Sequence, residues 1–274
     1  MFFCDKVPQE ITMRFALSWV VLCLAGCVHT QSVLVEPEIV SQSPAENIVV
    51  LLHGLARSPN SMSRMEAALK KAGYTTCNVG YPSTRHPIET LASHYVLPKI
   101  QACINGSRAP INFVTHSLGG IVMRQLAQLA PDLRVGRVVM LSPPNHGSEI
   151  VDKLGALTLF RLITGPAGLQ LGADEESVSR SLDPASFEVG IITGRRPINP
   201  ILSLLIPGAN DGKVSVESAK LEGMTDFCIA TSSHTYIMNN EYVIEQTLTF
   251  LAKGEFTCDT QSVVTTDRLK TDSD

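Results

Sequence analysis

An α/β fold, with a mostly parallel central sheet and helices on both faces, follows from three observations on this sequence. Runs such as 48–52 (Ile-Val-Val-Leu-Leu) and 138–141 (Val-Val-Met-Leu) are continuously apolar, as strands buried on both faces are. These runs alternate with stretches whose apolar residues recur at helical spacing. Each run also passes directly into a loop of glycine, proline, serine, asparagine or histidine, and the carboxyl ends of parallel strands are where such sheets place their sites. With 274 residues, 44% of them hydrophobic, the chain is long enough to bury one sizeable core. Its formal net charge is -4 and it has no basic run, so no nucleic-acid partner is expected.

The fold is expected to begin well inside the chain. Residues 1–26 read as a secretory signal: Met13-Arg14 carries one positive charge, an apolar run follows, and Leu24-Ala25-Gly26 stand before Cys27. The run is too short for a membrane span. Met13 is a second candidate start, because residues 1–12 hold acidic residues and Pro8. Leu24-Ala25-Gly26-Cys27 resembles a bacterial lipobox, which implies cleavage before Cys27 and its acylation; an ordinary signal peptide is the blander alternative. Residues 27–46 then form the lipidated cysteine and a polar tether with Pro37 and Pro44.

A domain over 47–252 follows. The strand at 48–52 runs into His53-Gly54-Leu55, and a helix over about 61–72 is closed by Gly73. A strand at 74–79 exits through Gly80-Tyr81-Pro82-Ser83. Pro87 opens a helix running to about residue 103, with a kink expected at Pro98. The strand at 111–114 ends in Thr115-His116-Ser117-Leu118-Gly119-Gly120, and the helix after it lasts until Pro131. The strand at 137–141 leads into Ser142-Pro143-Pro144-Asn145-His146-Gly147-Ser148. Residues 152–184 interrupt the rhythm with an apolar, glycine-punctuated insertion, expected to be a lid or cap. Within it Leu154, Leu157, Leu159, Phe160, Leu162 and Ile163 recur at near-helical spacing, and Gly155, Gly165 and Gly168 are candidate hinges. Strand character resumes at 187–193 and again at 227–230. Between them an apolar run at 201–206, bounded by prolines, leads into a turn-rich loop at 207–212. A closing helix spans 241–251, and 253–274 read as a polar tail.

Removal of the signal leaves Cys77, Cys103, Cys228 and Cys258 besides Cys27, an even set suited to an oxidising compartment. Three pairings are open, the sequential ones closing the shortest loops, and buried free thiols are equally compatible. No Cys/His cluster has metal-ligand spacing.

Four motifs carry chemistry. Thr115-His116-Ser117-Leu118-Gly119 places one serine on a tight strand-to-helix turn, a G-x-S-x-G elbow with threonine for the first glycine. A serine hydroxyl needs an imidazole to take its proton and a carboxylate to orient that imidazole. His53-Gly54-Leu55, the loop 142–148, and Asn210-Asp211-Gly212 with Val214, Ser218 and Ala219 complete the set. In this order the motifs resemble the bacterial lipase and esterase branch of the α/β-hydrolase superfamily. The resemblance implies a Ser–Asp–His order, met by Ser117, Asp211 and His234, with Asp183 and Asp226 as rival acids. It implies an oxyanion site made by the backbone N–H groups of Leu55 and Leu118, supported by His53, Gly54, His116 and Gly119. No cofactor is implied, and no metal, since the calcium-site carboxylates of some of these lipases have no clear counterpart. The substrate implied is an acyl ester or lipid, and the setting a lipid-anchored protein of the bacterial envelope. Val28 after Cys27, in place of aspartate, favours the outer membrane. Blander roles stand beside these: His53 as part of its turn, His116 as lining, His146 as structural, His86 and His94 as surface residues. An acyltransferase, a thioesterase or a non-catalytic envelope binding protein on the same fold are the rival functions.

Overall fold

The computed structural model describes residues 47–174 and 177–258. The expected signal segment, Cys27, the tether to residue 46 and the tail from residue 259 lie outside the described residues. Six strands lie where the apolar runs place them: β1 (Ile48–Leu52), β2 (Thr75–Val79), β3 (Ile111–His116), β4 (Val135–Leu141), β5 (Val189–Gly194) and β6 (Asp226–Ala230). They form one sheet in the order β2-β1-β3-β4-β5-β6, and every neighbouring pair is parallel. The chain leaves β1 toward one edge and β3 toward the other. The loops after these two strands therefore diverge and leave a crevice at their carboxyl ends.

Alternation along the strands separates two apolar layers. Ile48, Val50 and Leu52 join Phe113, Val138, Met140 and Ile191 on one face, whereas Val49 and Leu51 join Val114, Val139 and Ile192 on the other. α1 (Ser63–Lys71), entered by a 3₁₀ turn over Pro59–Met62, covers the second face with Met65 and Leu69. Each such fully buried side chain contributes about 1.5–3 kcal/mol relative to exposure. The first face is covered by helical residues from Ile88 through α2 (Leu97–Ile104) and by α3 (Leu118–Leu129).

The kink expected at Pro98 takes a different form. Residues Leu91–Val96 make a π-helical turn, and the Leu97 N–H donates to the Ala92 carbonyl five residues back. Proline has no N–H to continue a regular ladder and its ring crowds the preceding turn, so the wider turn just before Pro98 absorbs the conflict.

The insertion folds as α4 (Glu149–Leu154), α5 (Thr158–Leu169) and a short turn at Val178–Ser181. α5 is broken at Gly165, whose φ of 64° lies outside the helical range, with Pro166 next to it. Leu157, Leu159, Leu162 and Ile163 are exposed, Leu162 by 81%, so part of the apolar periodicity has no core partner. Its return stretch is held by Arg124 of α3, a buried guanidinium that donates to the carbonyls of Ser179, Leu182 and Asp183.

At the C-terminus α6 (Glu241–Lys253) ends on Gly254 in the left-handed region. The polar tail expected from residue 253 instead stays packed through Cys258. Phe256 is buried against Phe250, and its N–H donates to Asp226 Oδ2 at 2.7 Å. The cysteines pair sequentially, Cys77 with Cys103 (Cα–Cα 6.4 Å) and Cys228 with Cys258 (5.9 Å). Closing loops of this size constrains the unfolded chain by roughly 3–4 kcal/mol each. No helix among the described residues is long and apolar enough to cross a membrane.

Candidate active site

Ser117 joins β3 to α3 with φ 53° and ψ -121°, a backbone region that costs about 1–3 kcal/mol for a residue with a Cβ. The turn is possible because α3 begins almost against β1. A Cβ at Gly119 would lie 2.5 Å from the Leu52 carbonyl oxygen, so only glycine fits. Thr115 stands where the motif usually has glycine, with its Oγ1 toward Gly120 of the helix, where a Cβ would sit 3.4 Å away in ordinary contact.

The structure brings Ser117, His234 and Asp211 into one hydrogen-bonded line. Ser117 Oγ lies 2.9 Å from His234 Nε2, and His234 Nδ1 lies 2.8 Å from Asp211 Oδ2. Asp211 Oδ1 accepts the N–H groups of Lys213 (3.0 Å) and Val214 (2.9 Å). Burial would raise the Asp211 carboxyl, but His234, the Val214 N–H and the Ser142 hydroxyl together outweigh it and hold the group below its ordinary range. Asn210 fixes the acid loop: its Oδ1 accepts the Gly212 N–H, and its Nδ2 donates to the Gly208 carbonyl at 3.0 Å. Ser142, at the end of β4 with φ 47°, is a partner of the acid that the sequence reading missed.

The rival acids lie elsewhere. Asp226, at the amino end of β6, accepts the N–H groups of Phe227 and Phe256, and Asp183 lies in the insertion's return beside Arg124.

Gly54 presses the loop after β1 against the elbow; a Cβ there would lie 2.8 Å from His116 Nδ1 and 3.2 Å from Ser117 Cβ. Leu55 lines the cavity above Ser117. Leu118, the first residue of α3, has a backbone N–H with no acceptor within its own helix.

His53 is fully buried, stacks on Tyr81 with ring centres 4.2 Å apart, and accepts the Tyr81 N–H on Nε2. Its Nδ1 then donates to the Gly54 carbonyl at 2.9 Å, and burial pushes its pKa down, so the neutral ring braces the loop. His116 is also buried and held well below its usual pKa by that burial and by His234. Its Nε2 donates to the His234 carbonyl (3.0 Å) and its ring lines the cavity. His146 is exposed, His86 pairs with Tyr95, and His94 with Ser93. None of these three lines the cavity.

The cavity has a volume of about 340 Å³. Ser117, His116 and His234 form its floor, and Leu55, Ile150, Val151, Leu154, Phe160, Ile163 and Leu171 supply most of its apolar wall. Phe160 and Ile163 of the insertion thus reach the site, whereas Leu159 is 68% exposed and lies outside the lining. Arg57 and Lys213 also reach it. Among the described residues no cluster of His, Cys, Asp or Glu could hold a metal ion.

Comparisons with known proteins agree with this architecture. A family model described as "Putative serine esterase (DUF676)" matches residues 42–150, less than half the chain. That stretch includes the His53–Leu55 loop and Ser117 and stops before Asp211 and His234. A triacylglycerol lipase of Pseudomonas fragi is 43% identical over 44 residues, 16% of this chain and 15% of that one. The mature form of a Bacillus licheniformis lipase superposes with a TM-score of 0.60 at 19% identity, over 76% of this chain and 93% of that one. Lipase B of Aspergillus fumigatus gives 0.55 at 15% identity, over 78% and 55% of the two chains. The chain has the α/β-hydrolase fold of these lipases.

Proposed function

We propose that the chain is a serine hydrolase that cleaves carboxylic esters of apolar acyl groups. The observation that carries the reading is the line from Ser117 through His234 to Asp211, opening into an apolar cavity. Ser117 Oγ attacks the ester carbonyl while His234 Nε2 takes its proton. Asp211 keeps the remaining imidazole proton on Nδ1, and the Leu55 and Leu118 N–H groups hold the oxyanion. Collapse of the tetrahedral adduct expels the alcohol, protonated by His234, and leaves an acyl-serine. Water, deprotonated by the same imidazole, then releases the acid.

The insertion acts as a lid whose underside holds the acyl chain, with Gly155 and Gly165 as its hinges. Hydrolysis of nitrophenyl esters from acetate to palmitate tests both ideas. Turnover is expected to favour the longer acyl groups, and no turnover anywhere in the series sinks the esterase reading. Phe160→Asp places a charge against the chain and should lower kcat/KM on the long ester at least roughly tenfold more than on acetate. Equal loss on both, with a lowered Tm, means that Phe160 only completes the core.

Export belongs to the same reading. Two disulfides suit an oxidising compartment, and Leu24-Ala25-Gly26-Cys27 suits acylation of Cys27 and attachment to the bacterial outer membrane. Cys27→Ser should release the protein from the membrane fraction or block its maturation. Unchanged fractionation and migration would remove the anchor from the proposal.

A further inference from the structure

The cavity wall carries two positive charges that the reaction outlined above does not use. Arg57 follows the Leu55 loop, Lys213 stands two residues beyond Asp211, and both line the same space as Ser117 and His234. The chain as a whole is acidic, with a net charge of -4, so this pair is no part of a generally basic surface.

Arg57 is half-buried and Lys213 solvent-exposed, so water still reaches both, and an opposite charge set against them would gain most where the apolar wall limits screening by that water. Neither side chain has one: among the described residues no ion pair involves Arg57 or Lys213. Arg57 Nη2 makes one long hydrogen bond to the Thr235 carbonyl, at 3.4 Å. Asp211 attracts the Lys213 ammonium, but that carboxylate is already engaged by His234 and by the backbone N–H groups of Lys213 and Val214. Partial enclosure by the cavity wall and the neighbouring Arg57 prevail over this attraction and lower the Lys213 pKa, although the side chain keeps its contact with solvent. Two like charges thus line the cavity of the reacting serine, and among the described residues no acidic side chain forms an ion pair with either.

We propose that Arg57 and Lys213 form an anion subsite, and that the preferred substrate is an acyl ester bearing a phosphate or carboxylate close to the scissile bond. A planar guanidinium and a point-like ammonium are suited to share the oxygens of such a group. The apolar wall of Ile150, Leu154, Phe160 and Ile163 then takes the acyl chain, and the cationic wall takes the head group. The proposal rests on the esterase reading and adds the substrate class.

The test compares three esters with identical hexanoyl chains, all below their aggregation concentrations: dihexanoylglycerol, dihexanoyl phosphatidic acid and dihexanoylglyceryl hemisuccinate. For the unaltered protein, kcat/KM should be about tenfold or more higher on an anionic ester than on the neutral one, as expected for one charge-assisted contact. The phosphate and succinate arms show which anion the site takes. In Lys213→Met and in Arg57→Gln the anionic-to-neutral ratio should fall by roughly tenfold, and Lys213→Glu should bring it below unity. A flat ratio in the unaltered protein overturns the subsite. So does a proportional loss on all three esters in the variants, which would mean that the cations serve the transition state of any ester. Failure of the esterase reading looks different, because none of the three esters would then turn over. In that event a thermal shift with hexyl phosphate, present in the unaltered protein and lost in Lys213→Met, still decides the subsite.

Discussion

Ser117→Ala is expected to remove ester hydrolysis, by a factor on the order of a million in kcat, and to leave the fold standing. The substitution deletes one oxygen from a residue only 8% exposed and opens almost no cavity. The strained backbone at φ 53° is shared by alanine and serine, so stability should change by no more than about 1 kcal/mol. Loss of labelling by a fluorophosphonate in parallel with loss of turnover, at unchanged Tm, is the expected pair of results. Retained turnover would move the nucleophile elsewhere. Among the described residues Ser148 is the other serine lining the cavity, but its hydroxyl donates to the Lys213 carbonyl at 2.8 Å, and no imidazole among them hydrogen-bonds to it.

Asp211→Asn should cost roughly ten-thousand-fold in kcat while keeping the loop intact. The amide oxygen can still accept the Lys213 and Val214 N–H groups that now bind Oδ1. The NH₂ group then faces His234 Nδ1, which must become an acceptor, and the ring proton moves to Nε2. Ser117 is left facing a donor where it needs a base. A rate near that of the unaltered protein would hand the role to another acid. Asp226 is poorly placed for it, since both its oxygens serve backbone N–H groups at the far end of β6. The same substitution should alter acid stability. A carboxyl held below its ordinary pKa in the folded chain stabilises the fold above the unfolded value, and loses that contribution as pH falls through the folded one. Asp211→Asn should flatten this part of the curve of Tm against pH.

Much of this geometry was legible in the residues. Strands buried on both faces must be apolar throughout, so β1 and the second half of β4 could be read directly. The elbow was legible because glycine is required at Gly119, where α3 meets the Leu52 carbonyl. Other features had no local signature. The π-helical turn before Pro98 depends on how the chain resolves a missing N–H, which periodicity does not encode. The docking of Phe256 and Cys258 was hidden because one aromatic and one cysteine among polar residues resemble a frayed end until β6 supplies their partners. Arg124 carries no local sequence signal of its role. Its role depends on backbone carbonyls from a segment more than fifty residues away. Arg57 and Lys213 were missed for the same reason, as single charges in turns are usually solvated.

The bond between Cys228 and Cys258 gives the end of the domain a closed covalent ring. β6 leads into that ring, and the His234 loop and all of α6 lie within it. A single backbone cut anywhere between the two cysteines therefore cannot detach the imidazole from the rest of the molecule. The severed ends stay tethered to the sheet, and the proton acceptor keeps a covalent path to the strand that positions it. In surroundings rich in proteases, a nick in this region becomes a local injury, and the same nick after reduction becomes the loss of a helix.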